Sequence, residues 1–173
     1  MVASWLSNDE LETWKSFLAA SQRIEAIVDE ELRADIGITH SGWEILVRLN
    51  DEPTGALRMG ELARAVFIGK SALTYKIGLL ERQGLVIRTR CPADARGLQA
   101  EITPKGRALL AQGASRHVAI VRRLLIDAIT PDELRALHEI SIKLDQVATE
   151  YSPQPPCPSE EASSAHHEGV HTQ

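Results

Sequence analysis

The sequence predicts a mainly α fold of the α+β class, in the order helix, helix, short strand, helix, helix, hairpin, helix, helix. Three observations lead there. Ser7, Thr39, Thr103 and Thr130 each stand where a helix N-cap is needed, just before apolar residues that recur at three- and four-residue steps. Two short helical patterns, "GELARAVF" and "KSALTYKIGLLERQ", are joined by only two residues. Finally, "LVIRTR" and "LQAEIT" flank the turn-rich "CPADARG", as two strands flank a loop.

In "LSNDEL", Ser7 caps, Glu10 closes a capping box, and Leu6 is placed to staple against Leu11. Leu11, Trp14, Leu18, Ile24, Val28 and Leu32 carry the helix over 8–34, and Gly37 ends the turn that follows. Thr39 caps a second helix holding Trp43, Leu46, Val47 and Leu49, which stops before "NDEPTG". "ALRM" is a short strand. After the compact helix "GELARAVF", Gly69 is a break, Lys70 to Gln83 form the next helix, and Gly84 stops it. Beyond the hairpin, Thr103 caps a long helix with Pro104 at its first position, where a missing N–H costs nothing. Leu110, Ala114, Val118, Val121 and Leu125 mark one face of it to about Asp127. Thr130, Pro131 and Glu133 repeat the start signal, and Leu134, Leu137, Leu144, Val147 and Tyr151 line one side of the last helix. Residues 152–173 hold four prolines and almost no large apolar side chain. Such a segment cannot offset the entropy of ordering, so a single domain over 1–151 with a disordered tail over 152–173 is expected.

Charge is distributed unevenly. The 173 residues carry a net -5, yet the segment from Arg58 to Arg107 holds ten basic and four acidic residues, or +6, against -11 elsewhere. Beyond about 8 Å the acidic remainder is largely screened, so a polyanion meets the local field and not the net charge. No apolar run approaches the ~18 residues of a membrane helix. The N-terminus lacks the basic and apolar regions of a signal peptide. Cys91 and Cys157 make neither a disulfide framework nor a metal spacing, which places the protein in a reducing cytoplasm. His40, His117 and His138 are too scattered for a metal site, and "AHHEGVH" reads as a solvated tract; no cofactor is implied. Catalytic spacings of the Ser/His/Asp, paired-carboxylate or phosphate-loop kinds are missing too, so no enzyme is expected.

The helix at 70–83 sorts into faces. Leu73, Ile77 and Leu80 form its inward stripe, and a rotation of about 100° per residue sends Ser71, Tyr75, Gly78 and Arg82 to the opposite side, with Thr74 at the margin. Those side chains can read base edges or hold phosphates, and Lys70 adds a phosphate contact at the helix start. Gly78 costs about 1 kcal/mol relative to alanine in an exposed helix. It either admits close approach of a backbone or is a tolerated weak spot. Together with the helix before it, this segment reads as a helix-turn-helix.

The stretch from Leu11 to Val147 resembles the MarR family of winged helix-turn-helix regulators. The matching residues are "ITHSGWEIL", "MGELARAV", "KSALTYKIGLLERQGLVIR", and "DARG" followed by "EITPKGRALL". The resemblance implies a winged helix-turn-helix over 39–103 and dimerisation helices at 8–34 and 104–151. A homodimer would bind an inverted-repeat double-stranded DNA operator, with recognition helices in successive major grooves and wings over the minor grooves. By position, Ser71, Thr74, Tyr75 and Lys76 match the recognition helix, and Asp94 and Arg96 match the wing motif, Arg96 entering the minor groove and Asp94 orienting it or a nearby backbone group. With Lys70, Arg82, Arg88 and Arg90 these make up the expected DNA-binding set. Tyr75 stands where the family often has arginine, and Ala95 replaces a frequent second wing arginine.

The resemblance further implies a repressor released by a small aromatic or phenolic effector near Trp14, Phe17, His40 and Trp43, residues that also read as ordinary core aromatics. A peroxide-sensing first-helix cysteine is missing, and Cys91 reads as an inert loop residue. The alternative function is a winged-helix protein-interaction module without DNA binding, using Tyr75, Gly78 and Leu79.

Overall fold

The computed structural model describes residues 5–91 and 94–151; the expected disordered tail at 152–173 lies outside them. Six α-helices and three strands follow one another as α1 (Asn8–Ile36), α2 (His40–Asp51), β1 (Ala56–Arg58), α3 (Met59–Ala65), α4 (Lys70–Arg82), β2 (Val86–Cys91), β3 (Asp94–Ile102), α5 (Pro104–Val121) and α6 (Pro131–Glu150). The described residues divide into two compact units, the boundary falling between Ile129 and Thr130.

The helix starts are where the sequence puts them. Ser7 and Glu10 close a reciprocal capping box on α1, and Thr39 and Thr103 accept from the backbone N–H groups of Gly42 and Gly106. Gly37 and Gly84 take left-handed φ values of 74° and 72°, so both turns require the conformation that glycine adopts without strain.

The first unit is built around α2. Val28 and Leu32 of α1, Trp43, Ile45, Leu46 and Leu49 of α2, and Leu73, Ile77 and Leu80 of α4 form one buried cluster, closed by Val86, Ala100 and Ile102 of the sheet. The sheet is antiparallel in the order β1-β3-β2, with Ala56 opposite Glu101 and Val86 opposite Ile102. Two glycines let α5 come close. A Cβ on Gly106 would sit 2.4 Å from the carbonyl oxygen of Leu85, and one on Gly113 would sit 2.8 Å from the Trp43 ring. Arg116 of α5 reaches Glu31 of α1 at 2.6 Å, and Arg107 reaches Asn50 of α2 at 2.8 Å.

Two departures from expectation are local. The long helix after Thr103 is α-helical only to Val121 and continues as a π-helical turn, Arg122–Ile126. The expected wing loop is shorter than "CPADARG", because Asp94 to Gly97 are already in β3; the pairing shifts register between Arg90 and Cys91 to absorb the extra residues.

The second unit holds α6, opened by a capping box between Thr130 and Glu133. Along it Leu137, Ile140, Leu144, Val147 and Tyr151 recur at three- and four-residue steps and are exposed.

Candidate nucleic-acid interface

The helix α4 owes its orientation to Leu73, Ile77 and Leu80, which are at most 4% exposed. Burying that stripe forces the opposite face outward. Ser71, Thr74, Tyr75 and Arg82 are all exposed, as is Lys70 at the first position. The Thr74 hydroxyl donates to the carbonyl of Lys70 at 2.9 Å. A Cβ on Gly78 would meet only the Arg82 guanidinium, at 3.7 Å, so nothing inside the protein requires a glycine there.

Beside this face lies an open cleft of about 550 Å³ between α3, the start of α4 and the wing strands. Arg58, Arg64, Lys70 and Arg88 line it, with Glu61 the single acid, over an apolar floor that includes Leu73 and Leu98. Arg58 and Arg64 were not singled out from the sequence. Their signal was present in the charge of the Arg58–Arg107 segment, but only the fold brings them to the rim.

Two of the expected contact residues have partners within the protein. Lys76 does not join the outer face: its ammonium donates to the Ser41 hydroxyl of α2 at 2.6 Å. The reason is rotational, since Lys76 lies about 60° from the buried stripe, on the shoulder next to α2. Arg88 is engaged within the protein, its Nε and Nη2 donating to one Glu81 carboxylate oxygen at 3.0 and 2.5 Å. That hydrogen bond holds the Glu81 carboxyl below the usual carboxylate range and raises the Arg88 guanidinium. On β2, Arg90 is exposed. Asp94 and Arg96 stand on the first residues of β3, and their side chains are outside the described set.

Comparison with known proteins fits this arrangement. Residues 36–97 match the MarR family model. The chain is similar to Sco3205 of Streptomyces coelicolor, a MarR family transcriptional regulator solved in complex with DNA, at 34% identity over 86% of this chain and 96% of that one, with a TM-score of 0.80. This chain belongs to the MarR family. AbsC, another MarR family regulator of the same organism, is 31% identical over 86% of this chain and all of its own, with a TM-score of 0.81. The regulator SarZ of Staphylococcus epidermidis is 33% identical over 73 residues, 42% of this chain; the match spans 48% of SarZ, about half the length of that curated relative. The expected winged helix-turn-helix is thus the fold observed, and the members named here are transcriptional regulators.

The MarR likeness also raised an effector pocket near Trp14, Phe17, His40 and Trp43; the structure pairs Trp14 with Phe17, and sets the rings of His40 and Trp43 against His117 at 5.8 and 4.9 Å. Trp14 and Phe17 face each other at 6.2 Å between ring centres and are about half exposed on α1. Trp43 is buried in the core, its ring 4.9 Å from that of His117. His40 lines a cavity of about 350 Å³ together with Glu25 of α1, Ser41, Glu44 and Arg48 of α2, and residues 65–68 between α3 and α4. One wall is Phe67, held at a left-handed φ of 53° and 76% exposed. The reading of these residues as core aromatics holds for Trp43 and not for Trp14 and Phe17, since helical spacing alone cannot tell a core face from an exposed one.

His40 is tied from several sides. Its Nδ1 lies 2.7 Å from a Glu25 carboxylate oxygen and its backbone N–H donates to Asp29 at 2.8 Å, while Nε2 lies 3.7 Å from Glu44. Burial pushes the His117 imidazole below its ordinary value, helped by the nearby His40 ring and opposed by Glu44. No group of three or more His, Cys, Asp or Glu side chains able to hold a metal occurs among the described residues. No helix among them is long and apolar enough to cross a membrane.

Proposed function

We propose that this protein is a homodimeric, sequence-specific double-stranded DNA-binding transcriptional regulator that represses its targets. The observation that carries the reading is the polar outer face of α4 flanked by a cleft lined by Arg58, Arg64 and Lys70, with Arg88 held by Glu81 and Glu61 the acid on the rim. Such a surface suits phosphates, with hydroxyl and phenol groups left to meet base edges. Sco3205, at 34% identity, is a DNA complex, which supports the same use here. The contact set is Lys70, Ser71, Thr74, Tyr75, Arg82, Arg90, Asp94 and Arg96, with Arg58 and Arg64 added from the cleft. Two recognition helices on one face of the duplex require half-sites about 34–36 Å apart. A small aromatic or phenolic effector takes the cavity beside His40 and releases the DNA.

The test is selection of bound sites from random duplex DNA with the purified full chain. An enriched inverted repeat is expected, and Arg96→Ala should weaken its binding and flatten the dependence of affinity on salt. Failure to enrich any duplex sequence would refute the reading.

A further inference from the structure

Resting on this reading of α4 as the recognition helix, we propose that Ser41 and Lys76 form a latch that fixes the rotation of α4 against α2, so that Lys76 is a positioning residue and not a phosphate contact. The bond spans 35 positions of sequence, is half-buried, and at 2.6 Å is short for an ammonium on a hydroxyl. Ser41 is the second residue of α2, and its oxygen lies 3.2 Å from the Thr39 hydroxyl that caps that helix through the Gly42 N–H. The first turn of α2 is therefore fixed on one side to α1, through His40 to Glu25 and Asp29, and on the other to α4.

The site is otherwise a poor one for a cation. Unpaired N–H groups at a helix start carry the positive end of the helix dipole, which disfavours an ammonium there. The Ser41 oxygen is what holds Lys76 against that field. The consequence falls on its neighbour: Tyr75 precedes Lys76 by about 100° around the helix and is 68% exposed on the outer face, so the shoulder held by Lys76 sets where the phenol points.

The experiment compares Ser41→Ala, Ser41→Thr, Lys76→Met and the double variant Ser41→Ala/Lys76→Met by duplex affinity across a salt series and by amide hydrogen exchange of α4. Ser41→Ala and Lys76→Met should each weaken binding about tenfold to a hundredfold, the effect of one charge-assisted hydrogen bond. The double variant should bind no more weakly than either, the salt slope should stay that of the unmodified protein, and Ser41→Thr should restore binding. Exchange in α4 should quicken in both single variants. Lys76→Met flattening the slope by about 0.9 while Ser41→Ala binds normally would make Lys76 a phosphate contact and overturn the latch. Unchanged affinity in both variants would overturn it as well. If the unmodified chain binds no duplex, the DNA reading fails by itself, and the latch is then decided by α4 exchange, unchanged rates refuting it.

Discussion

Gly78 and Gly106 show how far one residue type can differ in what it does. A methyl group on Gly78 enters open space near the flexible Arg82 tip, whereas on Gly106 it runs into the Leu85 carbonyl. Gly78→Ala should therefore stabilise the fold by about 1 kcal/mol and raise Tm by roughly 2–4 °C. Gly106→Ala should destabilise it by about 1–3 kcal/mol, because backbone cannot step aside cheaply. Thermal melts of the two variants check both signs, and a Gly78→Ala protein that melts lower would contradict the open environment seen here. The same variant decides what the sequence left open at this position. Lost DNA affinity despite a higher Tm means a partner approaches the glycine closely; unchanged affinity means a weak spot in the helix. His117 supplies a pH dependence. Its folded value lies below the unfolded one, so the folded state prefers the neutral ring. Its contribution is complete above about pH 6.5 and is lost as pH falls through the lowered value. Tm measured from about pH 8 down to about pH 5 should fall more steeply for the unmodified protein than for His117→Gln. Equal slopes would remove His117 as the cause.

Elements were the most legible level of the sequence. Caps at Ser7, Thr39, Thr103 and Thr130 and stops at Gly37 and Gly84 are local hydrogen-bond and backbone requirements, so each can be read from a few adjacent residues. The π-helical turn at Arg122–Ile126 was not legible, since "RRLLI" has the composition of an ordinary helix. Nor was the early start of β3, which depends on a register shift across the hairpin. Side-chain partners between elements were the least legible part of the candidate site. Arg88 looks like any wing arginine until Glu81, seven residues earlier on α4, is seen to neutralise it. That pair joins α4 to β2 and withholds one cation from the surface proposed to meet DNA. Glu81→Gln should free Arg88, steepening the slope of log affinity against log salt by up to about 0.9. An unchanged slope would mean that Arg88 already leaves Glu81 when DNA arrives.

Across the whole molecule, the exposed apolar residues ask for a partner. Trp5, Leu11, Trp14 and Phe17 on and before α1 are each more than a third exposed, and α6 presents Leu137, Ile140, Leu144, Val147 and Tyr151 along one side. Single exposed apolar residues need no explanation, but stripes on helices do. A second copy of the chain is the occupant the functional reading requires, because two recognition helices must be held at a fixed spacing to read an inverted repeat. Trp14 and Phe17 already touch each other, so replacing both with glutamate puts two like charges where an apolar contact would form. Sedimentation equilibrium should then give twice the chain mass for the unmodified protein and a shift toward single-chain mass for Trp14→Glu/Phe17→Glu. The variant should keep its helical circular dichroism, since neither side chain is in the buried cluster. It should also lose the preference for a paired over a single half-site, as one cationic surface can grip only one groove at a time. A charged variant that stays dimeric would move the interface away from this part of α1. A native protein that sediments as a monomer while binding the full repeat tightly would break the link between two-fold symmetry and DNA recognition on which the proposed function depends.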